Sequence, residues 1–540
     1  MNLRIARVVG VFTVIASGSL AVGALTVSPV AAAGTCESLA SLTLPNTTIT
    51  MAQTVPAGGF TQPGARGGGR GGDGASALPA FCRVAATLKP SSDSDIKIEV
   101  WLPSSNWNGK LQAVGNGAFN GAIGYPAMMT ALKAGYATTS TDTGHVGGSG
   151  DFALGHPEKI VDFGHRSEHE MTVKAKAIIS AFYDSPAKYA YWNGCSAGGR
   201  QAMKAAQKYP ADFDGIIAGS PGLDWTGRAA GALRIAQVTK DEAARIPAAK
   251  AQLLHKAVLE ACDATDGIKD GLIDDPTRCK FDPGVLECKG EDSATCLTKS
   301  QAQTARLIYM SPVNPKTKRE ITGLAPGSEL GWTDLGWTGS ARSTGLDQFR
   351  FIVFKDPTWD VDKFNFETDI VRAEETDADT INALDPNLKP FFDRGGKMIQ
   401  YHGWSDPQIS PGNSVQYYKR VVDASGGLAK VQASHRLFMA PGMGHCGGGE
   451  GPNTFDMVDA LEQWVEQKKA PVQIVASHSS NGAVDRTRPL CPYPQVAKYK
   501  GSGSTDEAAN FVCREGQGRW PGDWGFGVGD WKYAGWIRPL

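Results

Sequence analysis

The most informative stretch of this sequence is Tyr191-Trp192-Asn193-Gly194-Cys195-Ser196-Ala197-Gly198-Gly199-Arg200. It holds a serine between two glycines in the pattern Gly-x-Ser-x-Gly. Residues 188–192 are typical of a strand and residues 197–207 of a helix, so the serine falls at a strand-to-helix turn. The flanking glycines leave room for neighbouring backbone and let Ser196 stand strained and exposed at the tip of that turn. An ordinary turn that matches by chance is the alternative, because the pattern is short.

Strand and helix patterns alternate around this turn. The strand patterns lie at 96–102, 110–114, 136–141, 213–220, 397–401 and 434–439, and helix patterns lie at 125–134 and 168–183. This rhythm is typical of a parallel sheet with crossover helices. With the serine turn at its centre, it predicts an α/β-hydrolase fold with a mostly parallel central sheet.

The alternation stops between about residue 223 and residue 395. This segment holds helices, four cysteines and many aromatic side chains, and we interpret it as a large lid domain inserted into the fold. A chain of 540 residues is long enough for one large domain with an insertion, or for two domains. The predicted organisation is a signal peptide at 1–33, a first part of the hydrolase core at 34–222, the lid domain at 223–395 and a second part of the core at 396–540.

The N-terminus has the pattern of a secretory signal peptide. Arg4 and Arg7 precede an apolar run at 8–27, and the alanines at 31–33 offer a cleavage site. An uncleaved anchor is the alternative, since the run is long enough to span a bilayer. Ten cysteines, an even number, agree with export to an oxidising compartment, although their spacing does not fix their pairing. We therefore expect a secreted protein, extracellular or periplasmic, with no stable membrane association after cleavage.

The charge balance argues against nucleic acid as a partner. Lysine and arginine number 54 and aspartate and glutamate 55, which gives a formal net charge of -1. Proteins that bind nucleic acid usually carry a strongly positive face, and nothing in this composition predicts one.

A serine hydroxyl needs a base to take its proton and a third group to orient that base. In α/β-hydrolases these groups follow one another in the order serine, acid, histidine. Asp406 and His445 each lie in a loop directly after a predicted strand, and His445 is flanked by glycines. The alternatives are a surface role for the aspartate and, for the base, His435 or His478. We predict a catalytic triad of Ser196, Asp406 and His445.

The loop Gly115-Asn116-Gly117-Ala118-Phe119-Asn120-Gly121 has the position of an oxyanion loop, because it follows an early strand. Its small residues allow backbone N–H groups to approach a substrate oxygen closely. We expect the oxyanion donors to be the N–H of Ala197 and, from this loop, the N–H of Gly117. An ordinary glycine-rich turn is the alternative.

Two cysteines flank the predicted nucleophile and base. Cys195 directly precedes Ser196, and Cys446 directly follows His445. A disulfide between them would hold two groups together that must stay within hydrogen-bond reach. Pairing with other cysteines is the alternative.

At this point the chain resembles the bacterial and fungal tannase and feruloyl esterase family, which also includes mono(hydroxyethyl) terephthalate hydrolases. The resemblance covers nearly the whole mature chain and rests on Gly194-Cys195-Ser196-x-Gly198-Gly199, His402-Gly-Trp-x-Asp406 and Gly444-His445-Cys446. It implies a secreted serine esterase for aromatic carboxylic esters, with a lid on an α/β-hydrolase core. It also implies the disulfides Cys195–Cys446, Cys36–Cys82, Cys262–Cys279, Cys288–Cys296 and Cys491–Cys513.

The resemblance sets the expected substrates. Within the family we favour a feruloyl esterase that acts on hydroxycinnamate esters of plant cell-wall polysaccharides, so the partner is a small aromatic ester or a feruloylated polysaccharide. Tannase and mono(hydroxyethyl) terephthalate hydrolase are the alternatives. The family often has Gly-Asn-Gly-Gly in the oxyanion loop, whereas this chain has Ala118, which leaves the exact loop donor open.

The stretch from Cys262 to Asp274 packs carboxylates at short spacing between glycines. Oxygen ligands at such spacing suit calcium, and a solvated acidic turn is the alternative. It is not an EF-hand, because the closing glutamate is missing. The family has a structural lid calcium in this segment, and the resemblance implies the ligands Asp263, Asp266, Ile268, Asp270 and Leu272, with carbonyl oxygens from Ile268 and Leu272.

Two readings from other classes remain open on sequence. His165, Glu168 and His169 match the H-x-x-E-H pattern of one group of zinc peptidases, which would make the chain a metallopeptidase. No clear third ligand follows, so these residues more simply begin the helix before the serine strand. An α/β-hydrolase scaffold used only for binding is the second reading, and the intact serine, aspartate and histidine argue against it.

Overall fold

A nine-stranded sheet forms the centre of the structure, a computed structural model that describes residues 34–63 and 77–516. Its strands lie in the order β1-β2-β3-β5-β4-β6-β7-β8-β9. The last six strands in this spatial order, which include β4, run parallel to one another. The strands are β1 (Thr47–Val55), β2 (Phe81–Leu88), β3 (Ile96–Pro103), β4 (Lys110–Val114), β5 (Ala137–Thr141), β6 (Tyr189–Cys195), β7 (Gly215–Gly219), β8 (Lys397–Gly403) and β9 (His435–Ala440). The predicted mostly parallel sheet is confirmed.

Helices cover both faces of this sheet and fill the long connection between β7 and β8. They are α1 (Tyr125–Lys133), α2 (Pro157–Val161), α3 (Ser167–Tyr183), α4 (Ala197–Lys208), α5 (Trp225–Thr239), α6 (Ala248–Cys262), α7 (Lys299–Tyr309), α8 (Ser340–Asp347), α9 (Phe366–Asp377), α10 (Lys389–Asp393), α11 (Pro411–Ser425), α12 (Leu428–Gln432) and α13 (Met457–Gln467). Two hairpins end the described chain, formed by β10 (Ile474–Ser480) with β11 (Ala483–Leu490) and by β12 (Gln495–Tyr499) with β13 (Phe511–Glu515).

The predicted signal peptide at 1–33 lies outside the described residues. Within 34–63 and 77–516, no helix combines the length and apolar character needed to cross a bilayer.

The parallel strands are buried on both faces, as sheets covered by helices require. On one face, Trp192 of β6 and Ile216 of β7 pack in the main apolar core with Met203 of α4. On the other face, the neighbouring strand residues Tyr191 and Ile217 pack in a second cluster with α13. Successive side chains of a strand point to opposite faces, so each strand serves both clusters.

The parallel direction brings the predicted functional residues to one edge of the sheet. The oxyanion loop follows β4, Ser196 follows β6, Asp406 follows β8 and His445 follows β9. Because the carboxyl ends of parallel strands meet at the same edge, residues far apart in sequence become neighbours there.

The segment between β7 and β8, which we call the lid, adds no strand to the central sheet. It forms two apolar clusters of its own, one around Phe349 and Trp359 and one around Tyr309 and Trp332. The lid meets the core in a further cluster that joins Trp225, Ile352 and Ile381 to Phe119 and Ala197. Its apolar attachment therefore lies directly on the oxyanion loop and on the start of α4.

An ionic contact also ties the lid to the loop that carries His445. His255 of α6 lies between two carboxylates, with Nδ1 2.7 Å from buried Glu329 and Nε2 2.7 Å from half-exposed Glu450. Burial alone would lower the pKa of His255, but the hydrogen bonds to both carboxylates outweigh it and raise the pKa to about 9. The hydrogen bond from His255 holds the pKa of Glu450 below its usual value. Both groups are therefore charged at neutral pH.

The ion pair between His255 and Glu450 predicts that the free energy of unfolding depends on pH. Glu450→Gln keeps a hydrogen-bond acceptor but removes the charge, and we expect it to cost about 1 kcal/mol of unfolding free energy at pH 7. The raised pKa of His255 means that its contribution is full below about pH 6.5 and is lost as the pH rises through about 9. The lowered pKa of Glu450 means that its contribution is lost in acid, as the pH falls through that pKa.

Urea unfolding of both proteins at pH 7 and pH 9.5 measures this pH dependence, and the difference should shrink at pH 9.5. Glu242→Gln is the control, since Glu242 pairs with an arginine that stays charged at both values. A difference for Glu450→Gln that does not change with pH would contradict the assignment.

Candidate active site

Ser196 occupies the turn between β6 and α4 in a conformation that non-glycine residues rarely adopt. Its φ is 64° and its ψ is -121°. A Cβ atom at Gly194 would lie 2.5 Å from the carbonyl oxygen of Gly198, and one at Gly199 would lie 2.3 Å from that of Gly219. The glycines are therefore required by close backbone approach, and the strain on Ser196 is held by its surroundings.

The structure brings Ser196, His445 and Asp406 into one hydrogen-bonded row. The Nε2 atom of His445 lies 2.8 Å from Oγ of Ser196, and its Nδ1 lies 2.7 Å from Oδ2 of Asp406. A carboxylate accepts hydrogen bonds, so it fixes the proton of His445 on Nδ1. Nε2 is then free to accept the hydroxyl proton of Ser196, which is the arrangement that activates a serine.

Asp406 is fully buried and receives several hydrogen bonds. Its Oδ1 accepts the N–H groups of Gln408 and Ile409 at 2.8 and 3.0 Å. Burial alone would raise the pKa of Asp406, but hydrogen bonds from His402 and His445 outweigh it and hold the pKa well below its usual value. The carboxylate therefore stays ionised beneath His445.

His402 is a functional residue to which sequence analysis assigned no role. Its Nε2 lies 3.1 Å from Oδ2 of Asp406 and from the carbonyl oxygen of Ile409, and its Nδ1 lies 2.7 Å from Oγ of Ser414. The side chain is completely buried, so it acts as a fixed support for the carboxylate. Its place four residues before Asp406 in the His-Gly-Trp-x-Asp motif was the available signal.

A disulfide joins the immediate neighbours of Ser196 and His445. Cys195 and Cys446 are bonded, with Cα atoms 6.0 Å apart across 251 residues of sequence. Cys446 has a φ of +62°, so the bridge ends on a strained residue beside His445. The other eight cysteines form the pairs that the family resemblance implies: Cys36–Cys82, Cys262–Cys279, Cys288–Cys296 and Cys491–Cys513.

The two predicted oxyanion donors lie on elements that touch. Ala197 is the first residue of α4, so its N–H has no partner within the helix. The carbonyl oxygen of Asn116 accepts the N–H of Gly198 at 2.8 Å, which fixes the oxyanion loop against the same helix start. Gly117 follows on the exposed side of this contact, and Ala118 has a φ of +44°. A glycine would adopt that angle without strain, so Ala118 holds a strained backbone conformation next to the expected donor.

The predicted calcium ligands lie in one loop after α6: Asp263, Asp266, Ile268, Asp270 and Leu272. The two oxygens of Asp263 accept the N–H groups of Asp270 and Gly271 at 3.1 and 3.0 Å, so the loop closes on itself. In the same loop, Asp274 is buried, and neither of its carboxylate oxygens has a hydrogen-bond partner among the described residues, although Oδ1 forms an ion pair with Nη1 of Arg488 at 3.5 Å. Burial raises the pKa of Asp274 to about 7, against the effect of nearby Arg488.

These donors fit a hard divalent cation in chemical type, since calcium takes carboxylate and carbonyl oxygens and would offset the buried negative charge. Arg488 and Lys498 also reach the loop, bonding the Asp270 carboxylate and the Asp266 carbonyl. Among the described residues, one group of three side chains has its possible metal-ligand atoms close together. It lies outside this loop, at Cys288, Asp292 and Cys296. Its two cysteines are joined in a disulfide, so it offers no thiolate ligands.

The residues of the zinc-peptidase pattern have other partners. His165 contacts the hydroxyl of Tyr209, and His169 pairs with Asp212. Glu168 is buried and accepts a hydrogen bond from Gln201. The three side chains therefore have separate partners and are not gathered around one point.

Comparison with known proteins identifies the family of this chain. The sequence model described as tannase and feruloyl esterase matches residues 82–514. The chain belongs to the tannase and feruloyl esterase family.

Relatives in this family align with most of the length of this chain. An uncharacterized esterase of Xanthomonas campestris pv. campestris is 40% identical over 549 aligned positions, covering 91% of this chain and 93% of the relative. A probable feruloyl esterase B-1 of Aspergillus fumigatus is 34% identical and covers 79% of this chain and 85% of its own. The crystal structure of feruloyl esterase B from Aspergillus oryzae superposes with a TM-score of 0.83 at 30% identity, covering 89% of this chain and 99% of that one.

These comparisons confirm the α/β-hydrolase fold and show that the chain is a carboxylic ester hydrolase. Tannin acyl hydrolase from Aspergillus niger shares the fold, with a TM-score of 0.72 at 21% identity over 88% of this chain and 93% of that chain. The metallopeptidase and the binding-scaffold interpretations are therefore wrong, since both place the chain outside this class of enzymes.

The disulfide at the site predicts a loss of rate on its removal. The double variant Cys195→Ala with Cys446→Ala should lower kcat by about 10- to 100-fold. Without the bridge, Ser196 and His445 can move relative to each other and spend less time at hydrogen-bond distance. Hydrolysis of a chromogenic aryl ester measures kcat, and thermal unfolding measures stability in parallel. The control is Cys288→Ala with Cys296→Ala, which removes a bridge across 8 residues in the lid and should keep kcat. Wild-type kcat in the first variant would contradict a positioning role for the bridge.

Proposed function

We propose that this protein is a secreted serine esterase that hydrolyses feruloyl and related hydroxycinnamoyl esters of plant cell-wall polysaccharides. The observation that carries the proposal is the hydrogen-bonded row from Asp406 through His445 to Ser196, with contacts of 2.7 and 2.8 Å. The row lies at the carboxyl edge of the sheet beside an exposed glycine-rich loop, where an ester can reach it.

In the first half of the proposed mechanism, His445 takes the proton of Ser196 as Oγ attacks the ester carbonyl carbon. The carbonyl oxygen becomes an oxyanion, stabilised by the N–H of Ala197 and by a donor from the oxyanion loop, which we assign to Gly117. Asp406 holds His445 in its tautomer and stabilises the imidazolium, as its lowered pKa supports.

In the second half, the tetrahedral intermediate collapses, and His445 gives its proton to the departing alcohol oxygen. This leaves an ester between Ser196 and the aromatic acid. Water loses a proton to His445 and attacks that ester, and the acid leaves as Ser196 regains its proton. Both halves use the same base and the same oxyanion donors.

The choice of acyl group is supported by the relatives. Curated proteins that cover most of this chain at 33–34% identity are named probable feruloyl esterases B-1 and B-2. Galloyl esters are the alternative substrate, because the family also contains tannases. Export is supported by the five disulfides and by the signal-peptide pattern at 1–33.

A panel of three esters tests this function. Wild-type enzyme should hydrolyse methyl ferulate with a higher kcat/KM than methyl gallate or mono(hydroxyethyl) terephthalate. Ser196→Ala should lose at least about 10⁴-fold in kcat on all three, because no other nucleophile stands at the turn. Chromatographic quantification of the released acids measures both effects.

The serine reagent phenylmethylsulfonyl fluoride supplies the control for this panel. It should add one sulfonyl group to the wild-type protein at Ser196 and none to Ser196→Ala, with unchanged thermal unfolding of the unlabelled variant. A clear preference for gallate would overturn the choice of substrate, and retained turnover in Ser196→Ala would overturn the mechanism.

We further propose that the loop at 263–274 binds one calcium ion, with Asp263, Asp266 and Asp270 as carboxylate ligands and Ile268 and Leu272 as carbonyl ligands. The ion would neutralise carboxylates in the lid and hold the loop closed, so its role would be structural. Buried Asp274 supports the site, because its oxygens accept no hydrogen bond among the described residues and its one ion pair, from Oδ1 to Arg488, is long at 3.5 Å.

Removal of the ion should therefore lower stability. Chelation with EGTA should reduce the unfolding free energy by about 3 kcal/mol relative to calcium at 100 times its Kd, and added calcium should restore it. Asp266→Asn should reduce this shift, whereas Asp292→Asn, elsewhere in the lid, should keep it in full. Thermal unfolding with and without calcium measures each case, and a wild-type protein that ignores both EGTA and calcium would contradict the site.

A further inference from the structure

The oxyanion loop is anchored to α4 by one amide side chain. Gln201 accepts the N–H of Asn116 through Oε1 at 3.0 Å and donates to Oδ1 of the same residue through Nε2 at 3.1 Å. Asn116 in turn donates through Nδ2 to the carbonyl oxygens of Ala122 and Thr141, each at 2.9 Å. The backbone and the side chain of Asn116 are therefore both fixed immediately before Gly117.

A buried carboxyl group supports the orientation of that amide. Oε1 of Glu168 lies 2.5 Å from Nε2 of Gln201, and the residue is 3% exposed. A carboxylate can only accept, and the N–H of Asn116 can only donate, so the amide of Gln201 has one orientation that satisfies both. A reversed amide would place an oxygen against Glu168 and an NH₂ group against the N–H of Asn116.

Structural need alone does not account for Glu168. Its other oxygen has no hydrogen-bond partner among the described residues, and burial raises the pKa of Glu168 to about 7. Buried Arg200 favours the charged form of Glu168, but it donates its hydrogen bonds to the carbonyl oxygens of Gly164, Phe163 and Ile381. A buried carboxyl group in this situation is costly to the fold, whereas an apolar side chain of similar size would not be.

We propose that Gln201 and Glu168 are positioning residues that hold the oxyanion loop in its working register. The network occupies the N–H of Asn116 with Gln201, which leaves the next residue, Gly117, to face the developing oxyanion. This inference rests on the proposed function, in which Ser196 is the nucleophile and this loop supplies one oxyanion donor.

Gln201→Met removes both contacts to Asn116 at nearly constant volume. We expect kcat to fall by about 10- to 100-fold with little change in KM, because the loss falls on the oxyanion and not on the bound ester. Gln207→Met is the matched control. Gln207 lies on the same helix and donates to carbonyl oxygens of Ala383 and Asp385 and to Tyr417, away from the oxyanion loop. It should lose stability and keep kcat.

Two variants of Glu168 separate positioning from folding. Glu168→Gln keeps an oxygen acceptor for Gln201 and should retain most of kcat. Glu168→Met removes that acceptor and should lower kcat, while the midpoint of thermal unfolding stays the same or rises. A kcat that follows stability in both variants would overturn the proposal, since Glu168 would then be only a part of the core.

An arylboronic acid probes the oxyanion position directly, because it forms a tetrahedral adduct with the nucleophilic serine. Its Ki should rise in Gln201→Met by the same factor as kcat/KM falls, while the Ki of the product ferulate stays constant. Wild-type kinetics and Ki in Gln201→Met, together with an inactive Ser196→Ala, would overturn this inference and leave the proposed function standing. Full activity in Ser196→Ala would overturn the proposed function itself.

Discussion

The turn that carries Ser196 approaches two neighbouring strand ends more closely than side chains would allow. A Cβ atom at Gly115 would lie 2.4 Å from Cα of Gly198, and one at Gly199 would lie 2.3 Å from the carbonyl oxygen of Gly219. Because glycines occupy these positions, the oxyanion loop can lie directly against the first turn of α4. Ala197, which follows Ser196, and the loop after β4 therefore lie on two elements in direct contact, joined by the hydrogen bond from the N–H of Gly198 to the carbonyl oxygen of Asn116.

The groups beneath Ser196 are held by covalent and polar contacts of a different kind. The bridge from Cys195 to Cys446 fixes the two loops to each other, and His402 and the N–H groups after Asp406 fix the carboxylate. The loop of His445 is held from the lid as well, because Glu450 pairs with His255. The position of His445 thus depends on a bond within the core and on an ion pair with the insertion.

Much of this site could be predicted from sequence, because Ser196, Asp406 and His445 each follow a strand pattern and parallel strands end at one edge. The supporting residues could not be predicted in the same way. Gln201 and Glu168 contact partners on other elements, and a buried polar side chain in a helix pattern has no local signal for its partner. His402 had its place in the motif as a signal, but the motif does not indicate that its side chain contacts the carboxylate of Asp406. The arrangement of the lid was also beyond sequence, since its clusters around Phe349 and Tyr309 form between helices without a repeated pattern.

The oxyanion loop shows why supporting contacts matter more here than the loop sequence does. Gly-rich segments have many accessible conformations, and Ala118 at a φ of +44° is held against its own preference. Asn116 is fixed on three sides, by Gln201, by the carbonyl oxygens of Ala122 and Thr141, and by the N–H of Gly198. Phe119 is buried under the lid with Trp225 and Ile352. With anchors on both sides of residues 117 and 118, the strain at Ala118 has no route of release, and the N–H groups between the anchors keep one direction.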